Sequence, residues 1–345
     1  MLILGIETTC DETAAAVVRN GREVLSNVVS SQIALHAKFG GVVPEVAARA
    51  HLESLNDIVA EALRHADVKD PARDLAGIAV ANCPGLIGCL LVGTAAAKGF
   101  AFAWTKPLLA VNHVQAHLYS VLLHAAGEKK SDNVPFPAIG LVMSGGHSSL
   151  YHVSSFRELK RIGQTQDDAV GEAFDKVAAI LQLGYPGGPL IDKLAATGDP
   201  LAIKFPAGHL EKDSLNFSFS GLKTAVLYHV NGKKGRKRDA SALTQQQKAD
   251  IAASFQRTAA DMLIEKIRRA AARFPSQSIV IGGGVSANTA IRKAVMQLGH
   301  ELSLPVFIPP MSYCTDNAAM IAGLGYEQLQ SHQVADLNLE TIATV

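Results

Sequence analysis

Tryptophan occurs once in these 345 residues, cysteine only four times, and neither sign of charge is in real excess. The cysteines (Cys10, Cys83, Cys89 and Cys314) stand apart with no CxxC spacing. That argues against a zinc knuckle or a disulfide framework and suits a reducing cytoplasm. A formal net charge of +1 provides no global basic field, so any affinity for nucleic acid has to come from local groups. Met1–Glu7 carries no basic stretch before its apolar run, which predicts a strand and not a signal peptide. A membrane span needs roughly 20 apolar residues. The most apolar stretch, Gly85–Ala97, is shorter, lies between Pro84 and Lys98, and predicts a buried helix. The expectation is a cytoplasmic protein with no membrane partner.

What is present is 48% apolar and 18% charged residues with 29 glycines, a composition that can bury a sizeable core across two domains. Leu2–Glu7 and Thr13–Val18 read as strands around the polar turn Thr8–Glu12. Ala138–Met143 and Ser148–Val153 repeat that layout around Ser144–His147. Two such hairpins suggest a duplicated domain. Leu52, Leu55, Val59 and Leu63 keep helical spacing, as do Ile251, Phe255, Met262 and Ile267 in a helix from about Thr244 to Arg273. Gly77–Ala81, Leu108–Val111 and Ser278–Ile281 read as buried strands. Strands alternating with helices predict an α/β class with mixed sheets flanked by helices. Ala126–Phe136, rich in charge and proline, is the candidate connection between domains.

His113 and His117 open a helical segment through Leu122. At i and i+4 their side chains share one helix face about 5–6 Å apart, close enough to grip one metal ion, although such pairs also occur on solvated faces. Asp316, in Cys314–Asn317 just before the helix Ala318–Leu329, can supply a third, oxygen ligand and leave the open position a catalytic metal needs. Glycine turns form a second group. Gly282–Asn288 lies at a strand-to-helix junction where missing Cβ atoms admit a ligand, and Asn288 can reach a nucleoside. Ser144–His147 is an anion-nest candidate. Tyr185–Pro189 forces another tight loop before Asp192, which can take a ribose hydroxyl. Asp167, Asp168 and Asp175 default to a solvated acidic face.

Ten motifs occur in order: Gly5–Thr13, Gly40–Glu45, Pro84–Gly88, His113-x3-His117, Met143–His147, Gly171–Lys176, Tyr185–Pro189, Phe217–Lys223, Gly283–Asn288 and Cys314–Asn317. Through them the chain, over nearly its whole length, resembles the bacterial-type tRNA N6-adenosine threonylcarbamoyltransferase family, once described as O-sialoglycoprotein endopeptidases. The resemblance implies an actin/hexokinase-type fold of two RNase-H-like lobes, residues 1–134 plus 318–345 and residues 135–317, with a metal and nucleotide cleft between. It implies one Fe(2+) or Zn(2+) per chain on His113, His117 and Asp316. It also implies that Val142, Met143, Ser144, Gly145, Gly146, Asp175, Gly188, Asp192 and Asn288 hold the nucleotide part of threonylcarbamoyl-AMP, or ATP or ADP. The family moves the threonylcarbamoyl group to N6 of the adenosine beside the anticodon (A37) in tRNAs reading codons that begin with A, releasing AMP. Its partners would be a paralogous protein of the same fold and a small ATPase.

Family members often have Glu where this chain has Gln115, and His113 is followed by Val114, so the Glu base of an H-E-x-x-H peptidase is missing. Asp11 and Glu12 are candidates for proton transfer or for ordering the acceptor, against the alternative of an acidic turn facing solvent. Lys233–Arg238 carries five positive charges in six residues, able to meet tRNA phosphates or to stay solvated. Lys223 can contact RNA or a partner. A kinase of the same fold is the rival that the two histidines oppose, because such enzymes hold magnesium with carboxylates and water.

Overall fold

The computed structural model describes residues 1–128, 133–207, 213–232 and 240–344; the basic run Lys233–Arg238 lies outside them. In chain order come β1 (Leu2–Glu7), β2 (Glu12–Arg19), β3 (Glu23–Ser31), α1 (Ile33–His36), α2 (Pro44–His65), α3 (Pro71–Asp74), β4 (Leu75–Cys83), α4 (Ile87–Trp104), β5 (Leu108–Asn112), α5 (His113–Tyr119) and β6 (His124–Ala125). There follow β7 (Ala138–Met143), β8 (Ser148–Ser155), β9 (Glu158–Gln164), α6 (Val170–Ile180), α7 (Gly187–Ala195), α8 (Ser220–Asn231) and α9 (Gln245–Arg273). The last are β10 (Ser278–Gly282), α10 (Thr289–Leu302), β11 (Val306–Phe307) and α11 (Ala318–Gln330). Two compact units result: Met1–Asn133 with Pro309–Val345, and Val134–Ile308. The returning segment thus starts at Pro309, so Asp316 belongs to the first unit.

In the first unit the sheet order is β5-β4-β1-β2-β3-β6. β1, β2 and β3 form an antiparallel meander, while β4 runs parallel to β1 and β5 parallel to β4. Strand alternation sorts β1 onto two faces. Leu4 and Ile6 join Leu55 and Val59 of α2 and Ala97 of α4 in one core. Gly5 faces α11 so closely that a Cβ there would meet the Ala318 carbonyl at 2.2 Å. Glu7, two residues on, shares that face. On α2 the buried stripe is Ala47, His51, Leu55, Val59 and Ala62. Leu52 is 69% exposed, because His51 occupies the inward position expected of it.

α4 corrects the expectation of a buried helix ending at Ala97. It continues to Trp104 and is, by length and composition, apolar enough to cross a membrane. One face (Cys89, Leu90, Gly93, Thr94, Ala97, Ala101) is buried, while Ile87, Leu91 and Phe102 are exposed.

The second unit repeats the plan with order β11-β10-β7-β8-β9. β7, β8 and β9 are antiparallel, and β10 and β11 continue parallel from β7. Both units therefore have the RNase-H-like arrangement, and the two similar hairpins of the sequence are β1–β2 and β7–β8. The long α9 starts at a capping box in which Thr244 and Gln247 each satisfy the other's backbone N–H. Its Phe255 ring meets Phe174 of α6 edge-on at 4.9 Å in the core. Burying each such ring contributes roughly 1.5–3 kcal/mol.

Candidate metal centre and glycine turns

Asn112 ends β5 and caps α5, its side-chain oxygen accepting the Gln115 N–H at 3.1 Å. The cap starts the helix at His113 and places His117 one turn later on the same buried side. Asn317 caps α11 in the same way through the Met320 N–H, which fixes Asp316 at the helix entrance. His117 Nε2 lies 3.1 Å and His113 Nε2 3.7 Å from Asp316 Oδ1. One donor atom from each residue falls within 4.8 Å of the others. The three candidate ligands thus converge in the first unit.

Their electrostatics differ. Burial opposes charge on His113, but the Glu7 and Asp316 carboxylates outweigh it and raise its pKa to about 9. Burial and the charge of His113 together lower His117, which stays neutral with one nitrogen lone pair to offer. Neither His117 nitrogen has a hydrogen-bond partner; the 3.1 Å approach to Asp316 lacks hydrogen-bond alignment. A fully buried imidazole without partners calls for an explanation. A divalent cation supplies one: two imidazoles and a carboxylate suit iron or zinc, and the residues present fit such an ion.

Sequence reasoning missed the groups around this trio. Glu7, 1% exposed, accepts the His113 Nδ1–H at 2.9 Å and the Thr9 N–H at 2.6 Å. Its signal was a carboxylate closing an otherwise apolar strand. His51 donates through Nε2 to the Cys10 carbonyl at 3.0 Å and accepts the Thr13 hydroxyl at 2.8 Å. Burial keeps it neutral. It thereby steadies the turn that carries Asp11 and Glu12. Glu12 opens β2; burial, then Asp316 and Asp11, push its carboxyl up to about 9, so it holds a proton at neutral pH. The same surroundings push the Cys10 thiol up and leave it inert.

In the second unit three turns meet through glycine. Gly283, with φ +88°, would place a Cβ 2.3 Å from the Met143 carbonyl, and Gly171 would place one 2.5 Å from that of Ser144. The turn after β7, the start of α6 and the turn after β10 therefore approach backbone to backbone. Gly145, Gly146 and Gly188 differ, because an added Cβ would meet nothing within 4 Å. They border open space. Val142 and Met143 keep their side chains in the core, leaving only backbone to face a ligand.

The polar candidates here carry structural duties. Asp175 accepts the Gly187 N–H at 2.7 Å, joining α6 to α7. Asp192 takes the Thr289 N–H and hydroxyl, joining α7 to α10. Asn288 caps α10 through Ile291 and donates to Gln256 at 2.8 Å. Asp167 is exposed, as expected of a solvated face, and Asp168 is half-buried, but both are engaged by neighbouring groups. Asp167 collects Ser218, Phe219 and Ser220, bonds that outweigh burial and lower its pKa. Asp168 receives both Lys176 and Lys223 at 2.7 Å, so Lys223 is engaged inside the unit. A separate cavity of about 430 Å³ lies against Phe205, Phe217 and Lys266, and no candidate site residue lines it.

A family model for tRNA N6-adenosine threonylcarbamoyltransferase matches residues 23–323. Relatives bearing that description include one from Trichlorobacter lovleyi, 47% identical over 344 residues (100% of this chain, 96% of the relative). Another, from Geotalea daltonii, is 46% identical over 342 residues (99% and 96%). Among solved structures, HypF of T. kodakarensis covers 96% of this chain with 48% of its own length at TM-score 0.60 and 16% identity. Component A of the Acidaminococcus fermentans (R)-2-hydroxyglutaryl-CoA dehydratase covers 96% with 99% of its own at TM-score 0.53 and 16% identity. These likenesses show the actin/hexokinase-type fold.

Proposed function

Because this chain belongs to the tRNA N6-adenosine threonylcarbamoyltransferase family, we propose that it takes its acyl group from threonylcarbamoyl-AMP and delivers it to N6 of A37, releasing AMP. The observation that carries this reading is near-half identity over the full chain combined with three converging ligand side chains. The new bond joins the exocyclic nitrogen to the carbamoyl carbon; the bond that breaks runs from that carbon to the phosphate oxygen. The phosphate leaves as an anion, and the amine must shed a proton.

The chain's own groups divide these tasks. The open turn Ser144–Gly146 and Gly188 present backbone to the nucleotide, where N–H groups stabilise negative charge on the departing phosphate. Asp175 and Asp192 serve the nucleotide by fixing α6, α7 and α10 around it, alongside Asn288. Asp11 accepts the amine proton, and Glu12 orders the acceptor. His113, His117 and Asp316 hold one Fe(2+) or Zn(2+), which when bound supplies Lewis acidity and a template for the threonylcarbamoyl group.

By the family resemblance a same-fold paralogue and a small ATPase assist in a cytoplasmic pathway. The test is mass spectrometry of tRNA nucleosides after incubation with threonylcarbamoyl-AMP and unmodified tRNA, with and without those partners. Threonylcarbamoyladenosine that depends on this chain supports the proposal. Its absence in every arm, with the adenylate intact and metal bound, rejects it.

A further inference from the structure

Glu7 has no place in the reaction just described, yet it is the most completely enclosed carboxylate near its chemistry. β1 delivers it on the α11 face, and its two oxygens are both taken. Oε1 accepts the Thr9 N–H at 2.6 Å and Oε2 accepts His113 Nδ1–H at 2.9 Å. The Thr9 hydroxyl also lies 3.3 Å from that same Nδ1. A carboxylate only accepts, so the proton of a neutral His113 must sit on Nδ1, leaving the Nε2 lone pair directed toward Asp316. His117 has no equivalent anchor among the described residues; neither of its nitrogens is hydrogen-bonded.

We propose that Glu7 is a positioning residue for the metal centre: it fixes the tautomer and ring orientation of His113 and supplies the second negative charge near the cation. The charge count supports this. A divalent cation held by two neutral imidazoles and the single carboxylate of Asp316 leaves one uncompensated positive charge in a buried site. Glu7, one imidazole away, offsets that charge without occupying a coordination position. The sequence hides this because Glu7 ends β1 and His113 opens α5 after β5, segments far apart in the chain whose strands lie on either side of β4 in the sheet.

The inference rests on the metal reading of His113, His117 and Asp316, so the test separates the two. Metal-stripped full-length chain, wild type and Glu7→Gln, is titrated with cobalt(II), following the visible ligand-field bands. The Gln oxygen can still accept from Nδ1–H while its amide nitrogen replaces the oxygen that took the Thr9 N–H, so this variant removes the charge together with one backbone hydrogen bond. Glu7→Asp keeps the charge but withdraws it by one methylene, and it carries the test if Glu7→Gln does not fold. The wild type should bind one cobalt, with each folded variant about 10–100-fold weaker and its bands shifted. A purely structural role would lower the thermal stability of the stripped chain but leave cobalt affinity and bands at wild-type values. That result overturns the role of Glu7 alone. A wild type that binds no cobalt, zinc or iron overturns the metal reading and the role of Glu7 together.

Discussion

His117 Nε2 stands 3.1 Å from Asp316 Oδ1, joining a helix that follows β5 to the entrance of α11. Both imidazoles of the pair are buried, and those of His113 and His117 meet nearly edge-on with centroids 4.6 Å apart. The double variant His113→Ala, His117→Ala should keep the far-UV circular dichroism of the wild type, lose its bound cation by elemental mass analysis and lose transfer. A variant with wild-type metal content would sink the assignment of these ligands.

Glu12 makes stability depend on pH in a definite direction. Its pKa is raised from 4.5 to about 9 in the folded metal-free chain, chiefly by burial. The folded state then keeps a proton that the unfolded chain sheds above 4.5. Stability from this group is fully present below 4.5 and falls as pH rises toward 9. Glu12→Gln should therefore stabilise the metal-free protein near pH 7 by on the order of 2 kcal/mol, an advantage that vanishes at pH 4. Thermal melts at the two pH values decide it. An equal gap at both would show that the carboxyl is not the cause.

The glycine turns of the second unit should respond in opposite ways to the same small change. Gly283→Ala meets a carbonyl at 2.3 Å and needs a left-handed backbone, so it should cost about 1–3 kcal/mol in urea unfolding. Gly145→Val and Gly146→Val add bulk where nothing lies within 4 Å. They should leave stability nearly unchanged while weakening AMP binding measured by calorimetry. Unaltered AMP affinity in both valine variants would remove this turn from the nucleotide site.

Asp168 receives two lysines, Lys176, which also pairs with Glu172 at 2.7 Å, and Lys223. Hydrogen bonds and charge from Lys176 and Lys223 outweigh burial and hold its carboxyl below the usual range. Its contribution to stability is thus present above the unfolded value of 3.8 and lost as pH falls below it. Asp168→Ala should destabilise the chain by about 1–2 kcal/mol and leave Lys223 loose. If chemical denaturation at pH 7 shows no change, the pair of contacts is only a surface association.

Much of both units was legible residue by residue. Apolar Leu2–Ile6 could only be a buried strand, and Thr244 with Gln247 announces the start of α9 through side chains that bond to nearby backbone. The burial of α2 was misjudged at one position, since spacing marks a face but not which of two neighbouring residues turns inward. His51 took the place given to Leu52 because a partner waited for its imidazole at Cys10. Nothing in a carboxylate pair such as Asp167–Asp168 tells a solvated face from a clamp. The partners Ser218, Ser220 and Lys223 belong to a distant helix start.

The sequence by itself determined what depends on near neighbours: the strands and helices, the caps at Asn112, Asn288 and Asn317, the glycine turns, and two histidines on one helix face. Side-chain alternation marks the strands, and backbone geometry and hydrogen bonds within a few residues set the rest. Only the tertiary structure decided that Glu7 holds His113, that Asp316 completes the trio, that Gly283 rests on Met143 and that Asp192 serves Thr289. Those relations join segments far apart in the chain. They exist because sheet pairing and core burial bring the strand ends together.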